Sequence, residues 1–267
     1  YTLIIVGIAN FFYELSLIFY NSLLKDISEN KNLGRSSGLG FALGYIGGII
    51  ILVLSIKLFI DNNNLPFGLS EKESQNIRAT AILVSVWFLI FALPFLIFVQ
   101  QKLKKKKKTS SSNYFDLKKL IWNKGLKNLG KFLIARMLYA DGLNAIIVMG
   151  GIFAVGVFDL EIKELLKLSV LMNITAFIGA FVGGLANDKY GSKAVITISL
   201  LGLIFSSTII IVVYSKTLFF IAAAINGLFI GPIQSASRVM ITTLLNKGDQ
   251  GKGFGLFATS GKSTSFI

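Results

Sequence analysis

Apolar positions in this chain neither alternate nor fall on one stripe of short helices; they run on without interruption. Residues 36–56, 79–101, 168–187, 194–215 and 217–237 contain no Asp, Glu, Lys or Arg. Residues 1–24 meet the same condition except for Glu14, and 132–158 except for Arg136 and Asp141. A helix needs about 20 apolar residues to cross a hydrocarbon core of about 30 Å, and buried strands are far shorter. The pattern therefore predicts an all-α membrane protein, a polytopic helical bundle of seven full spans plus the start of an eighth near Gly253. The chain opens inside one apolar run at Tyr1 and closes inside another at Ile267, so we expect a fragment of a longer bundle with helices missing at both ends.

Composition points the same way. Hydrophobic residues make up 54% and charged residues 15%, against roughly 25% charged in soluble domains. With no Cys and no His, thiolate and imidazole metal sites, disulfides and the usual neutral-pH acid–base group are excluded. No cofactor or metal is expected. The GKS within residues 260–264 ends like a phosphate loop, but Leu256 stands where that loop needs glycine and no strand leads in. No convergent catalytic set is visible, so an enzyme is not expected.

The net charge of +14 changes meaning once it is mapped. Lys and Arg collect in cytoplasmic connections. Most of them lie in 25–37, 101–131, 187–193 and 238–252, and few in 57–78, 159–167 and 215–217. The first set is assigned to the cytoplasm. The lysine run in 101–131 reads as a solvated linker with attraction to anionic headgroups. It has few aromatics and no nucleic-acid-binding fold around it, so no nucleic-acid partner is expected. The lipid bilayer is the expected partner.

Polar groups inside the spans are costly and therefore informative. Asn10, Glu14 and Asn21 fall on one helix face, flanked by Tyr13 and Tyr20; this stripe reads either as a cavity wall, with Glu14 as a proton carrier, or as a buried hydrogen-bond network. Asp141 and Asn144 share another face. Arg136 is expected to reach back to the interface. Lys262 is placed to balance an intramembrane carboxylate, to bind an anionic group, or to snorkel. Arg238, at a span end with Gln234, reads as a loop or gate anchor. Gly40, Gly44 and Gly48, then Gly179 and Gly183, then Gly227 and Gly231, recur every four residues and predict close helix packing.

Between two spans lies GGLANDKYGSK, residues 183–193, expected to be a tight charged turn. Asp188 is placed to stabilise the start of the following helix or to pair with a basic group across a helical gap. Gly184, Asp188, Lys189, Gly191 and Lys193 give a pattern that resembles the loop signature of the major facilitator superfamily, G-x-x-x-D-[RK]-x-G-[RK]-[RK], with Ser192 departing from it. FYNSLLKDI (19–27), GRSSGLGFALGYIGG (34–48), WFLIFALPFLIFV (87–99), YADGLNAIIVMGGIFA (139–154), GPIQSASR (231–238) and GFGLFATSGKSTSF (253–266) together resemble the autophagy-related protein 22-like vacuolar effluxers and their bacterial relatives.

That resemblance implies a partial twelve-helix major facilitator fold. Residues 1–100 would be the last three helices of the N-terminal six-helix bundle, 101–131 a basic cytoplasmic linker, and 132–267 the first four helices and the start of the fifth of the C-terminal bundle. It implies a secondary transporter working by alternating access, with efflux of amino acids or related small polar solutes. Protons are the expected coupling ion because carboxylates in a low-dielectric span take up protons more readily. Asn10, Glu14, Asn21, Asp141, Asn144 and Lys262 would form the pathway. Gly184, Asp188, Lys189, Gly191, Lys193 and Arg238 would form the cytoplasmic gate. The Lys-, Asn- and Ile-rich composition favours a bacterial plasma membrane; a eukaryotic member would sit in the vacuolar membrane. The competing expectation is a non-transporting scaffold or receptor on the same fold.

Overall fold

The computed structural model describes residues 2–60, 66–69, 74–103, 114–122 and 125–262. The lysine run 104–108 and the end of the eighth expected span, 263–267, lie outside the described residues. The long helices are α1 (Thr2–Ser22), α3 (Leu33–Ser55), α4 (Gln75–Leu103), α6 (Asn128–Phe158), α7 (Ile162–Tyr190), α8 (Ser192–Val212) and α9 (Lys216–Leu244). Short helices α2 (Leu24–Ile27), α5 (Tyr114–Ile121) and α10 (Gln250–Ser260) complete the order. Among the described residues seven helices are long and apolar enough to cross a membrane, and no strand is formed. The protein is an all-α, multi-pass integral membrane protein.

Two compact units are distinguished, residues 44–110 and the remainder, 1–43 with 111–267. In the smaller unit α3 ends in a π-helical turn, Ile56–Ile60. Asn76 Nδ2 donates to the Phe59 carbonyl at 3.1 Å, joining the start of α4 to that turn. Pro94 lies inside α4 without ending it.

In the larger unit α9 is the central helix. Its buried positions include Phe219, Ala223, Ile230, Ile233, Ala236 and Ile241. They meet α6 and α8 in one cluster with Phe132, Leu133, Val195 and Leu203, and Phe158 and Leu168 in a second, where the Phe158 and Phe219 rings stack at 4.7 Å. α8 shows the complementary pattern: Val195, Ser199, Leu203 and Ser206 face inward, while Ile198, Leu201 and Phe205 face out. Such an apolar exterior suits a lipid solvent, where burial of hydrocarbon gives no drive for helices to associate and packing must supply it.

Small residues provide that packing. A Cβ on Gly179 would sit 2.0 Å from the Leu228 carbonyl, and one on Gly183 2.3 Å from Pro232. From the other side, Gly227 abuts Met172 and Thr175, and Gly231 abuts Ala176 and Ala180. The α7–α9 seam is thus backbone against backbone. A polar clasp adds to it across α8 and α9, where Ser206 Oγ donates to Asn226 Oδ1 at 2.7 Å. On α3 the close approach falls elsewhere than expected. Gly34 and Gly38 pack on Gly184, whereas a Cβ on Gly44 would meet nothing within 4 Å.

The turn at 183–193 is also shorter than expected. α7 continues through Tyr190 and α8 begins at Ser192, so Gly191 alone reverses the chain. It does so at φ 83°, a conformation that suits glycine. The 101–131 linker carries structure too: α5 packs its Leu120 and Ile121 against the core, and Gly130 lets Ile121 approach α6.

Replacing Gly179 or Gly183 by Val should cost about 1–3 kcal/mol, since the added atoms meet backbone or a rigid ring. Gly44→Ala should leave stability unchanged or slightly raised. Thermal unfolding in detergent checks both.

Candidate functional site

α1, α3, α6, α9 and α10 enclose a cleft of about 270 Å³. Its wall on α1 is Glu14, Leu17, Ile18 and Asn21, an i, i+3, i+4, i+7 face that follows from helical geometry. Of the residues expected on the pathway, Glu14, Asn21, Asn144 and Lys262 line this cleft. Asn10 and Asp141 lie outside its lining: Asn10 is exposed beyond the end of the α1 wall, and Asp141 is half-buried on α6. Arg238, expected among the gate residues, lines the cleft instead.

Two ionised groups meet in the cleft. Lys262 Nζ stands 2.7 Å from Glu14 Oε1, with 51% and 27% of the side chains exposed. The pair joins the end of α10 to the middle of α1. Arg136 turns inward rather than to the interface. Its guanidinium lies 3.4 Å over the centre of the Phe257 ring. It donates to the Phe257 carbonyl and, at 3.2 Å, to the Ser260 hydroxyl. Gly261 leaves the space it occupies, since a Cβ there would be 2.3 Å from Arg136 Nη1.

On the opposite wall Tyr139 Oη and Ser237 Oγ are hydrogen-bonded at 2.8 Å, linking α6 and α9. Arg238 packs its guanidinium 4.8 Å from the centre of the Tyr20 ring on α1. Leu143, Ile147, Ile233 and Phe254 supply apolar surface between these polar groups. Charged groups set among apolar walls interact more strongly than at a fully water-facing surface.

A second arrangement lies at the ends of α7 and α9. Asp188, in the last turn of α7, accepts from the Gly34 backbone amide at 2.6 Å through Oδ1 and from the Arg35 amide at 2.8 Å through Oδ2. These amides belong to the first turn of α3, where N–H groups lack intrahelical partners and the helix dipole favours negative charge. Asp188 therefore caps a helix distant in sequence; among the described residues it pairs with neither the following helix α8 nor a basic side chain. Gly184 makes this possible, because a Cβ there would strike Gly34 O and Gly38 Cα at 2.8 Å. Lys189 lies 5.0 Å from the Tyr190 ring centre. Lys193 and Gly191 border a surface depression with Asp188.

The complementary helix end is held by cations and amides. Lys25 of α2 donates to the carbonyls of Thr242, at 3.2 Å, and Leu245. Gln250 Nε2 donates to Thr242, Leu245 and Asn246 carbonyls, each at 3.2 Å. These are the orphan acceptors at the end of α9. Sequence reasoning missed Lys25 and Gln250, as it missed Tyr139 and Phe257. A lysine just past a span resembles any topology-setting charge until its acceptor is known.

A family model described as vacuole effluxer Atg22 like matches residues 22–267. An uncharacterized MFS-type transporter, YxiO, of Bacillus subtilis is 25% identical over 94% of this chain and 58% of its own length. Autophagy-related protein 22 of Yarrowia lipolytica is 23% identical over 87% of this chain and 44% of its own length. The corresponding protein of Vanderwaltozyma polyspora is 24% identical over 93% and 53%. The chain thus spans about half the length of the curated relatives it matches. No solved structure matches the chain.

Glu14→Gln and Lys262→Met each strand one member of the ion pair. The double variant should recover about 1 kcal/mol relative to the sum of the singles, because the pair is partly open to solvent. A double-mutant cycle on thermal stability measures the coupling.

Proposed function

Because the chain belongs to the vacuole effluxer Atg22-like family, we propose that it forms the central part of a secondary carrier that moves a small polar solute across a membrane by alternating access. The observation that carries this reading is a polar cleft walled by α1, α3, α6, α9 and α10, with Asp188 clasping the start of α3. In such a carrier the substrate site lies near the midplane between two helical bundles that rock against each other. On this reading α1 to α4 belong to one bundle and α6 to α10 to the other.

The two helix-end contacts then act as latches. Asp188 ties the C-terminal bundle to the amides of α3, and Lys25 ties the N-terminal bundle to the carbonyls of α9. Each is a charge held against a helix dipole, and each must part when the cytoplasmic side opens. Gly184, Gly191, Lys189 and Lys193 shape and surround the Asp188 latch. Amino acids leaving the compartment are the proposed cargo, in keeping with a family of vacuole effluxers. Glu14 is the proposed proton carrier. Its partner Lys262 pairs with it across the cleft, and the pair parts when α10 and α1 separate.

Reconstituted intact protein should take up a radiolabelled amino-acid mixture in response to an imposed pH gradient, and Glu14→Gln should abolish the gradient dependence. Absence of flux under every gradient would leave a membrane scaffold or receptor as the better reading. Separately, Asp188→Asn should weaken the α3 latch by about 1 kcal/mol and raise the cytoplasm-open population about fivefold. The readout is faster maleimide labelling, from the cytoplasmic side, of a cysteine placed at Ser237.

A further inference from the structure

Charge in the cleft does not balance. Among its described lining residues Arg136, Arg238 and Lys262 face a single carboxylate, Glu14. Glu14 is paired with Lys262. Arg136 bonds to neutral groups, the Phe257 ring and carbonyl and the Ser260 hydroxyl, and shares the field of Glu14 with Lys262. Arg238 lies against the Tyr20 ring, donates a hydrogen bond to the Tyr20 hydroxyl and is only 3% exposed. Its Nε is buried with no hydrogen-bond partner among the described residues.

An arginine cannot shed its proton to escape burial. A guanidinium enclosed without a counter-charge, with one donor orphaned, is costly unless a second occupant supplies both. The occupant that fits is a carboxylate. Its two oxygens match the side-on edge of a guanidinium, Nε together with one Nη, and form parallel charge-assisted bonds. Nε is enclosed in the present state, so engagement requires a rotation of the terminal guanidinium away from Tyr20 toward the cleft. The remaining surface fits a solute with one charged end and an apolar body, since Leu143, Ile147, Ile233 and Phe254 flank the polar groups.

We propose that Arg238, with Arg136 supplying further positive potential, is the carboxylate-binding group of the cleft, so that the solute recognised there carries a carboxylate. This rests on the carrier reading above and gives it a recognition residue. Two sources share that chemistry, the zwitterion of an amino acid and the anion of a simple organic acid.

A matched trio separates them. L-Valine carries a carboxylate and an ammonium, 3-methylbutanoate the carboxylate alone, and L-valinamide the ammonium alone. Each is titrated into the intact protein in detergent while thermal unfolding is followed. At least one of the two carboxylates should raise the unfolding temperature saturably, and valinamide should not. Valine binding tighter assigns an amino acid; 3-methylbutanoate binding as tightly or tighter assigns an organic anion. Arg238→Gln should weaken the carboxylate response about tenfold or more. Arg238→Lys, which keeps the charge but loses the planar fork, should fail to restore it.

The proposal is overturned if valinamide stabilises as well as valine, if none of the trio acts on the wild-type protein, or if Arg238→Gln keeps the full response. The wild-type comparison alone decides whether a carboxylate is recognised, and Arg238→Lys, which keeps the charge, tests the residue where Arg238→Gln folds poorly. Counterflow of the same probes in liposomes keeps the two readings apart. Carboxylate binding without flux overturns the carrier and leaves the site, whereas flux of valinamide equal to that of valine overturns the site and leaves the carrier.

Discussion

Contact of α7 with α9 through bare backbone is the constraint from which the rest of the structure follows. In a lipid solvent, helices gain nothing by hiding hydrocarbon from one another, so they associate where they fit. Gly179 and Gly183 on one side, and Gly227, Gly231 and Pro232 on the other, let the two helices close until main-chain atoms touch. That closeness fixes the rotation of α9. With Gly227 and Gly231 turned to α7, Ile230 and Ile233 turn to the core cluster, and Ser237 and Arg238 are carried into the cleft wall. The same rotation of α7 leaves Gly184 and Asp188 facing α3. One seam therefore positions both the polar cleft and the clasp on α3.

Much of this was legible in the sequence because the solvent is so restrictive. Charge-free runs of spanning length have few alternative readings, and the apolar stretches at 132–158, 168–187, 194–215 and 217–237 correspond to α6 through α9 with ends differing by a few residues. The small-residue spacing on α7 and α9 was legible for a related reason, since i and i+4 must share a face. On α3 the same rule misled. Gly44 follows Gly40 as regularly as Gly38 follows Gly34, yet Gly40 lies beside Tyr20 and Arg238 while Gly44 meets nothing, so only the partner helix distinguishes a packed glycine from an open one.

The candidate site was legible in its residue types and less so in its partners. Glu14 and Lys262 stand out as charges in spans, and their pairing joins two remote segments. Arg136 illustrates the opposite case. Eight residues from the start of α6 it has the reach of a snorkelling side chain, and it turns inward because Phe257 and Gly261 offer it a face and a space. Asn10 and Asp141 extend polar stripes on paper, yet each lies outside the cleft lining, because a wheel gives direction around a helix but not how far along it the neighbouring helices reach. Asp188 carried a recognisable signature, but its donors lie about 150 residues upstream in the chain and are backbone amides, which no side-chain pattern advertises.

Clasps that grip main-chain groups affect how such a protein is free to diverge. The Asp188 carboxylate grips amides that every residue except proline supplies, and Lys25 grips carbonyls that every residue supplies. Neither bond has a side chain on its receiving end. Substitution along the first turn of α3 or the last turn of α9 leaves the receiving groups in place, so long as no bulk intrudes at Gly34 or Gly38. Each clasp is therefore under one-sided genetic control: drift can alter the charge that grips, but not the surface gripped. Pairwise correlation between positions, the usual trace of contact in a family of sequences, has nothing here to record. The contacts most directly placed to couple these helix ends are the ones that a comparison of sequences is least able to reveal.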